Sequence, residues 1–566
     1  MKARFWISLA AGLVACLAAA YGAYTLANYS WNQVVDYRGP YARAMLPAGG
    51  SASPRTVVDG GQPLMVYVIV DGLREDVSRT MPTLDALRAH GFDATVRTSQ
   101  PSLSFPNWTT LLSGAPQRIS GVTTNWFEER VPVETLIDTA LAAKRTVAVS
   151  APTDFETLYD VKRTGHVFLR DWEKGAYMTG EIVDNAIRLA AEASPTLLVV
   201  HFPDVDEAGH AFGGASQEYR DMALKVDRDL GRLVSALQGP ATTFVVTADH
   251  GHIGTGGHGG PEDIVTEVPA VFAGLNVRLG TAEGTQDQVA PTVALLADLP
   301  APRNATGGPL DVSQDGADVT RFAAQLDAAF SAYDAAIGGS GGSGTGAGSV
   351  ADSRAAFEAD TAARLSSERS ARLPISLGLV AICVLSIAAV GVLAWRGLVA
   401  ALAGTGAYYL IYEGLYFVVH GYRWSLSSFN SEEFLKPFLN GRMTDAIIAG
   451  VVAAVVAGEV YLLTRAEPQR PKGEYLPGWL ALGAATVLVI QATIGMQLAW
   501  YLWYWGASVT WYIPDLAMGF KYDLDLIQLT GLGAAAVLAP LATYLVGRFQ
   551  PFRSPKAVAP GTDASV

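Results

Sequence analysis

The segment Thr247-Ala-Asp-His-Gly-His252, with His258 following in a Gly-rich loop, sets a carboxylate beside an imidazole directly after the β-branched run 242–246. Asp249 offers a hard oxygen and His250 a nitrogen to one cation, a donor mixture suited to a catalytic zinc. The same pairing recurs upstream. An apolar run at 197–202 is followed by Asp204, Asp206 and His210, and another beginning at Met65 ends in Asp71 and Gly72. Ser102-Leu-Ser104-Phe-Pro106-Asn107-Trp108 adds two hydroxyls just ahead of the apolar stretch 109–112. Acidic and imidazole groups beside a hydroxyl are the parts of a two-metal hydrolase or transferase.

Such groups work only if the chain brings them together. Short, continuous apolar runs rich in Val and Ile read as strands of a parallel sheet buried on both faces. Gly72 permits the abrupt turn that frees Asp71 from the end of its strand. Pro106 suits the first turn of a helix, which puts the Ser104 hydroxyl at a helix N-terminus, where an anionic phosphoryl group is favoured. In open α/β sheets, ligands collect beyond the carboxyl ends of the strands, where all three ligand-bearing runs terminate. Each residue also has a plainer use: strand-end Asp residues cap turns, Asn125 fits a turn, and Ser104 fits an N-cap.

On these motifs the chain resembles the alkaline phosphatase superfamily, in its nucleotide pyrophosphatase/phosphodiesterase branch. It is also similar to the glycosylphosphatidylinositol ethanolamine-phosphate transferases, which join a related domain to a membrane bundle. The resemblance runs from Met65 to Pro302 and includes 288–300, which matches a late helix of many members. It implies an alkaline-phosphatase-like α/β domain, a mostly parallel sheet flanked by helices, with two divalent ions, zinc or alternatively manganese. By the same resemblance, Asp71, Asp249 and His250 hold one ion against the nucleophile Ser104. Asp206, His210 and His258 hold the other. Asn125, in Thr123-Thr-Asn-Trp126, binds a phosphoryl oxygen, a neutral donor suited to a diester. This chain has Ser-Phe-Pro-Asn-Trp where the diesterases have Thr-Phe-Pro-Asn-His; the hydroxyl is kept, and Ser102 is the alternative nucleophile. A sulfatase would carry Arg shortly after the proline, where this chain has Asn107 and Trp108. His201, His252 and Asp204 are expected to support the ligands, and His90, His166 and His420 have no assigned part in the metal centre.

The rest of the chain is too apolar for a soluble enzyme: of 566 residues, 50% are hydrophobic, and the mean hydropathy is +0.24. Phe5 to Ala27, preceded by Lys2 and Arg4, reads as an uncleaved signal anchor, with a cleaved signal peptide as the alternative. Further spans are expected at 373–395, 398–419, 446–463, 479–503 and 526–546, each close to the about 20 residues needed to cross a bilayer. The expected division is an N-terminal anchor at 1–28, a juxtamembrane segment at 29–64 and a metal-dependent catalytic domain at 65–336. A Gly/Ser linker and connecting exposed helix follow at 337–372, then a bundle of about five membrane helices at 373–548 and a tail at 549–566. Lys2, Arg4, Arg396, Arg465, Arg470, Lys472, Arg548, Arg553 and Lys556 fall on one side of these spans, which places both termini in the cytoplasm and the catalytic domain outside it. The two cysteines, Cys16 and Cys383, both lie in expected spans, so the outer domain holds no disulfide. A net charge of −13 and the lack of a basic patch argue against nucleic acid.

One helix would be enough for tethering. Five more suggest work on a lipid or a lipid-linked acceptor. Glu413 lies within an apolar span, where carboxylates are costly and often functional. His420 and Arg423 sit on the outer side, where they can meet lipid phosphates or anchor the interface, as the aromatic run 500–505 does. The expected activity is therefore transfer of a phosphoethanolamine-type head group from a phospholipid to a glycan or lipid acceptor through phospho-Ser104. The alternatives are a membrane-tethered phosphodiesterase or nucleotide pyrophosphatase and, from another class, a metal-stabilised scaffold without catalysis.

Overall fold

The apolar run after Pro63 forms strand β1 (Leu64–Val70), fully buried from Met65 onward. In the computed structural model, which describes residues 2–44, 46, 63–314, 320–339, 350–429, 432–464 and 476–549, β1 is an inner strand of an eight-stranded sheet. The others are β2 (Gly91–Arg97), β3 (Val147–Pro152), β4 (Val167–Arg170), β5 (Leu197–Phe202), β6 (Thr242–Ala248), β7 (Glu267–Gly274) and β8 (Gly280–Thr285). Their order is β4-β3-β5-β1-β6-β7-β2-β8. Pairing is parallel except on the two sides of β7, which runs against β6 and β2. The mostly parallel α/β reading holds, with β7 as the one reversed strand. Every residue of β3, β5 and β6 is buried, as required where helices cover both faces. The helix Thr179–Ala193 packs on β3 and β5, and Val289–Leu296 packs on β1.

Register decides where the chemistry collects. Val70, the last residue of β1, pairs with Phe202 of β5 and Ala248 of β6. Asp71 and Asp249 therefore leave the sheet at the same level, with the Asp204–His210 segment beside them. Gly72 turns the chain at φ +69°, and a Cβ there would stand 2.7 Å from the Asp206 Cα. Glycine is required at this position on both counts.

Among the described residues, six helices are long and apolar enough to cross a membrane: Leu9–Val35, Asp352–Leu393, Trp395–Val419, Phe434–Leu463, Gly478–Tyr504 and Leu516–Phe549. They match the six expected spans in number and run longer, because helix continues past the apolar windows. The clearest case is Val350–Leu393, a single 44-residue helix. The connecting helix expected at 351–372 is thus continuous with the first span of the bundle. It is also not simply exposed: Phe357 and Thr361 are buried, and Phe357 meets Tyr41 edge to face at 5.8 Å. The glycine-rich stretch at 340–349, the basic residues Arg465, Arg470 and Lys472, and the tail 550–566 with Arg553 and Lys556 lie outside the described residues.

The sheet domain and the helices share polar joints. The Tyr41 hydroxyl donates to the Trp511 carbonyl at 2.8 Å. The Gly260 N–H donates to Ser427 Oγ at 3.1 Å, and that hydroxyl donates to Glu262 at 2.9 Å. The loop after β6 therefore rests on the segment between two apolar helices.

Candidate active site

Ser104 opens the helix Ser104–Ser113, with Pro106 in its first turn. The Ser104 hydroxyl is buried and lies 3.3 Å from His250 Nε2. Ser102 is committed elsewhere: its hydroxyl donates to the Gly260 carbonyl at 2.9 Å, and its carbonyl lies 3.0 Å from His258 Nδ1. Of the two candidate nucleophiles, Ser104 is the one that faces the Asp–His cluster. Asn125 stands at the start of the same helix. Its Oδ1 accepts the Phe105 N–H at 3.0 Å, which fixes the amide plane and leaves the NH₂ as the donor end.

Around His250 the structure gathers Asp71 and Asp249, with donor atoms all within 4.8 Å of one another. His250 Nε2 is 3.5 Å from Asp71 Oδ1 and 3.3 Å from Asp249 Oδ2. Beside this group stands a second one. Asp206 Oδ2 is 3.2 Å from His210 Nε2, its Oδ1 is 3.8 Å from His258 Nε2, and the two imidazoles approach to 3.3 Å. His210 follows Asp206 by four residues on the helix Asp204–Phe212, so the two side chains share a face. His258 reaches the group from the Gly-rich loop and stacks on His250 at 3.7 Å.

Two residues do more here than their sequence positions indicate. His252 Nε2 lies 2.7 Å from Asp206 Oδ1, closer than either His210 or His258, and it too falls within a possible metal-holding group with Asp206 and His210. In the sequence Trp108 stands out only as a departure from a motif. Its indole N–H donates to Asp249 Oδ2 at 2.8 Å. Ser104 and Trp108 are four residues apart, so one helix face presents both to the site. The other Asp249 oxygen accepts from the Gly72 and His250 N–H groups, and its carbonyl accepts from the side chains of Asn107 and Gln286. His201 Nε2 lies 3.2 Å from Asp71 Oδ2 and packs edge-on to Trp108. Asp204 caps the helix Thr179–Ala193 through the N–H groups of Met178 and Thr179, a structural task.

Three carboxylates buried this close together repel one another unless a cation intervenes. Burial, then the charges of Asp249 and Asp206, pushes the Asp71 carboxyl well above its ordinary range. Burial also raises Asp249. Burial acts upward on Asp206 as well, but the adjacent His210 and His252 outweigh it and hold this carboxyl well below the ordinary range. The imidazoles move down: burial lowers His252 to about 4 and, aided by His250, takes His258 well below its usual value. His252 and His258 are therefore neutral imidazoles, the form that binds metal, whereas burial favours the protonated form of Asp71, which must give up its proton to bind a cation. Asp71 Oδ1 is buried with no hydrogen-bond partner among the described residues. An orphaned carboxylate oxygen within a cluster of mixed O and N donors fits a divalent cation.

Residues 65–265 match the type I phosphodiesterase / nucleotide pyrophosphatase family. Among curated proteins, the GPI ethanolamine phosphate transferase 1 of Yarrowia lipolytica is 25% identical over 242 residues, 37% of this chain and 25% of that protein. A 2,3-bisphosphoglycerate-independent phosphoglycerate mutase of Dinoroseobacter shibae is 31% identical over 137 residues, 23% of this chain and 26% of that protein. The chain thus spans about a quarter of the length of these curated relatives. Among solved structures, human ectonucleotide pyrophosphatase / phosphodiesterase 5 overlays with a TM-score of 0.38 at 14% identity, covering 45% of this chain and 100% of that one.

Proposed function

We propose that the protein is a membrane-embedded phosphodiester transferase that carries a phosphoethanolamine-type head group from a phospholipid to a glycan or lipid acceptor outside the cytoplasm. The observation that carries this reading is the Ser104 hydroxyl, 3.3 Å from His250 at a helix N-terminus, beside a buried cluster of Asp and His side chains. The six apolar helices and the likeness to a GPI ethanolamine phosphate transferase favour a lipid donor. The family match over 65–265 equally accommodates water as acceptor, which is the second reading.

Divalent ions held by Asp71, Asp249 and His250, and by Asp206, His210 and His258, would neutralise charge on the reacting phosphoryl group and acidify nearby hydroxyls. The chain's own groups do the rest. Ser104 Oγ attacks phosphorus, the bond from phosphorus to the lipid glycerol oxygen breaks, and the departing diacylglycerol takes up a proton. The head group is then held as a diester on Ser104. The Asn125 amide NH₂, set at the start of the helix Ser104–Ser113, donates toward a non-bridging oxygen. In the second half the acceptor hydroxyl attacks from the opposite face and Ser104 Oγ leaves. Trp108, Gly72 and Gln286 keep Asp249 oriented throughout.

The test is to incubate the purified protein in lipid with phosphatidylethanolamine and follow products by mass spectrometry, alongside Ser104→Ala. Diacylglycerol release with an ethanolamine-phosphate adduct on Ser104, absent from the variant, is the expected result. Cleavage of aryl or nucleotide diesters without any diacylglycerol would move the assignment to the hydrolase.

A further inference from the structure

A cavity of about 700 Å³ opens between the loop after β6 and the ends of two apolar helices. One wall is Ile253 to Gly256, the stretch between His252 and His258, together with Glu262 and Asp263, so the cavity adjoins the Asp–His cluster along a continuous piece of chain and offers carboxylates to a cationic head group on the side away from the arginines. The opposite wall carries His420, Arg423 and Arg442, with Phe434 and Phe438 beside them. Glu413, expected at a lipid site, is not part of this wall.

Arg442 is an unusual side chain for such a place. It is 4% exposed and ion-paired to Asp445 through Nη2 at 3.0 Å. Its Nε and Nη1 are buried without a hydrogen-bond partner among the described residues. The guanidinium lies 4.7 Å from the Tyr422 ring centroid and 5.4 Å from that of Phe438. Aromatic faces hold a cation in position but satisfy none of its N–H groups. A buried guanidinium with unused donors is costly unless a ligand supplies acceptors, and its planar fork matches two oxygens of a phosphate. His420 Nε2 shares the same Asp445 carboxylate at 3.3 Å, which keeps an imidazole beside the guanidinium at the wall. His420 directly follows a π-helical turn, Gly414–Val419, which bends the backbone there.

We propose that this cavity binds the phosphodiester head group of a membrane lipid, with Arg442 as the phosphate anchor and Arg423 and His420 at its side. A lipid is favoured over free phosphate because the wall is apolar where it meets the bundle: Phe434 is 52% exposed and begins a helix able to cross the membrane. The ligand's identity rests on the lipid-donor reading above, while the test is a binding measurement that needs no turnover.

Delipidated full-length protein in detergent is mixed with dioleoylphosphatidylethanolamine, and bound lipid is counted by native mass spectrometry. Dioleoylglycerol, which lacks the phosphate, serves as one comparison and inorganic phosphate as a competitor. Wild type and Ser104→Ala are expected to bind the phospholipid alike. Arg442→Gln is expected to lose at least about tenfold in affinity, as for one charge-assisted bidentate contact. Arg423→Gln, an exposed position that leaves the fold alone, is expected to lose several-fold. Arg442→Lys keeps charge without the fork and is expected to fall between wild type and Arg442→Gln. Equal binding by wild type and both Gln variants would overturn the assignment, and so would equal binding of dioleoylglycerol. Displacement of the phospholipid by millimolar inorganic phosphate would overturn the commitment to a lipid. Phospholipid binding without transfer would leave this site standing and count only against the transferase reading.

Discussion

The indole N–H of Trp108 donates to Asp249 Oδ2 at 2.8 Å, so a residue on the helix that Ser104 opens sets the orientation of a metal-ligand candidate beyond the end of β6. Trp108→Phe keeps an aromatic ring against His201 and Phe155 but removes the donor. The stripped carboxylate oxygen costs about 1–3 kcal/mol of stability. Loss of an orienting partner lowers metal affinity by about 10- to 100-fold. Competition with a fluorescent chelator and a thermal melt check both; unchanged affinity would mean that Asp249 does not bind metal.

Much of the sheet was legible because parallel strands buried on both faces announce themselves as continuous apolar runs. β1, β5 and β6 are such runs, and their ends name Asp71, Asp206 and Asp249. What was hidden depends on register and on side-chain reach. Nothing local says that Val70 aligns with both Phe202 and Ala248, yet that alignment brings the carboxylates to one level. Trp108 offered a hint in its spacing of four from Ser104, but its partner lies 141 positions away. From sequence His252 reads as a supporting group because it falls beside the expected ligand positions; the turn after β6 brings it to 2.7 Å from Asp206. Phe357 was hidden for a different reason: an Ala-rich helix dotted with charges looks solvated until Tyr41 and Tyr333 are seen to cover one face.

Gly209 sits where a Cβ would stand 2.4 Å from the His252 ring. Gly209→Ala therefore forces His252 away from Asp206 or shifts the helix that carries His210. Overpacking of this kind costs about 1–3 kcal/mol. The larger effect is expected at the centre itself, where Asp206 loses its nearest imidazole. Metal stoichiometry by elemental analysis is expected to fall, while the metal held by Asp71, Asp249 and His250 is retained. Full occupancy at both groups would show that the His252–Asp206 contact is dispensable.

Asn125 holds its carbonyl oxygen on the Phe105 N–H, which leaves its NH₂ as the donor end. Asn125→Ala is expected to lower kcat by about 100-fold or more on a diester, in line with the loss of one oxyanion donor, with little change in metal content. Asn125→Asp can keep the bond to Phe105 but offers a carboxylate to an anionic substrate, so its kcat/KM is expected to fall below that of the Ala variant. Steady-state kinetics on a soluble aryl diester separate the two. The reverse order would place Asn125 in a turn-forming role instead.

Metal binding to this centre is expected to strengthen as pH rises. Without metal, burial and the neighbouring Asp249 and Asp206 raise the folded-state pKa of Asp71 above 3.8. The stability that this raised group contributes is present below 3.8 and lost as pH climbs through its folded value. His252 works oppositely: depressed from 6.5 to about 4, its contribution is present above 6.5 and lost as pH falls toward 4. A divalent cation competes with the proton at Asp71, while His252, lowered to about 4, is already unprotonated above pH 6 and bears only on the folding of the metal-free chain. Each proton displaced adds up to about tenfold in affinity per pH unit. The gap in Tm between zinc-loaded and chelator-treated protein is therefore expected to widen from pH 6 to pH 8, because tighter binding to the native state raises Tm by mass action. A gap that stays flat or shrinks would mean that no proton leaves Asp71 on metal binding between pH 6 and pH 8.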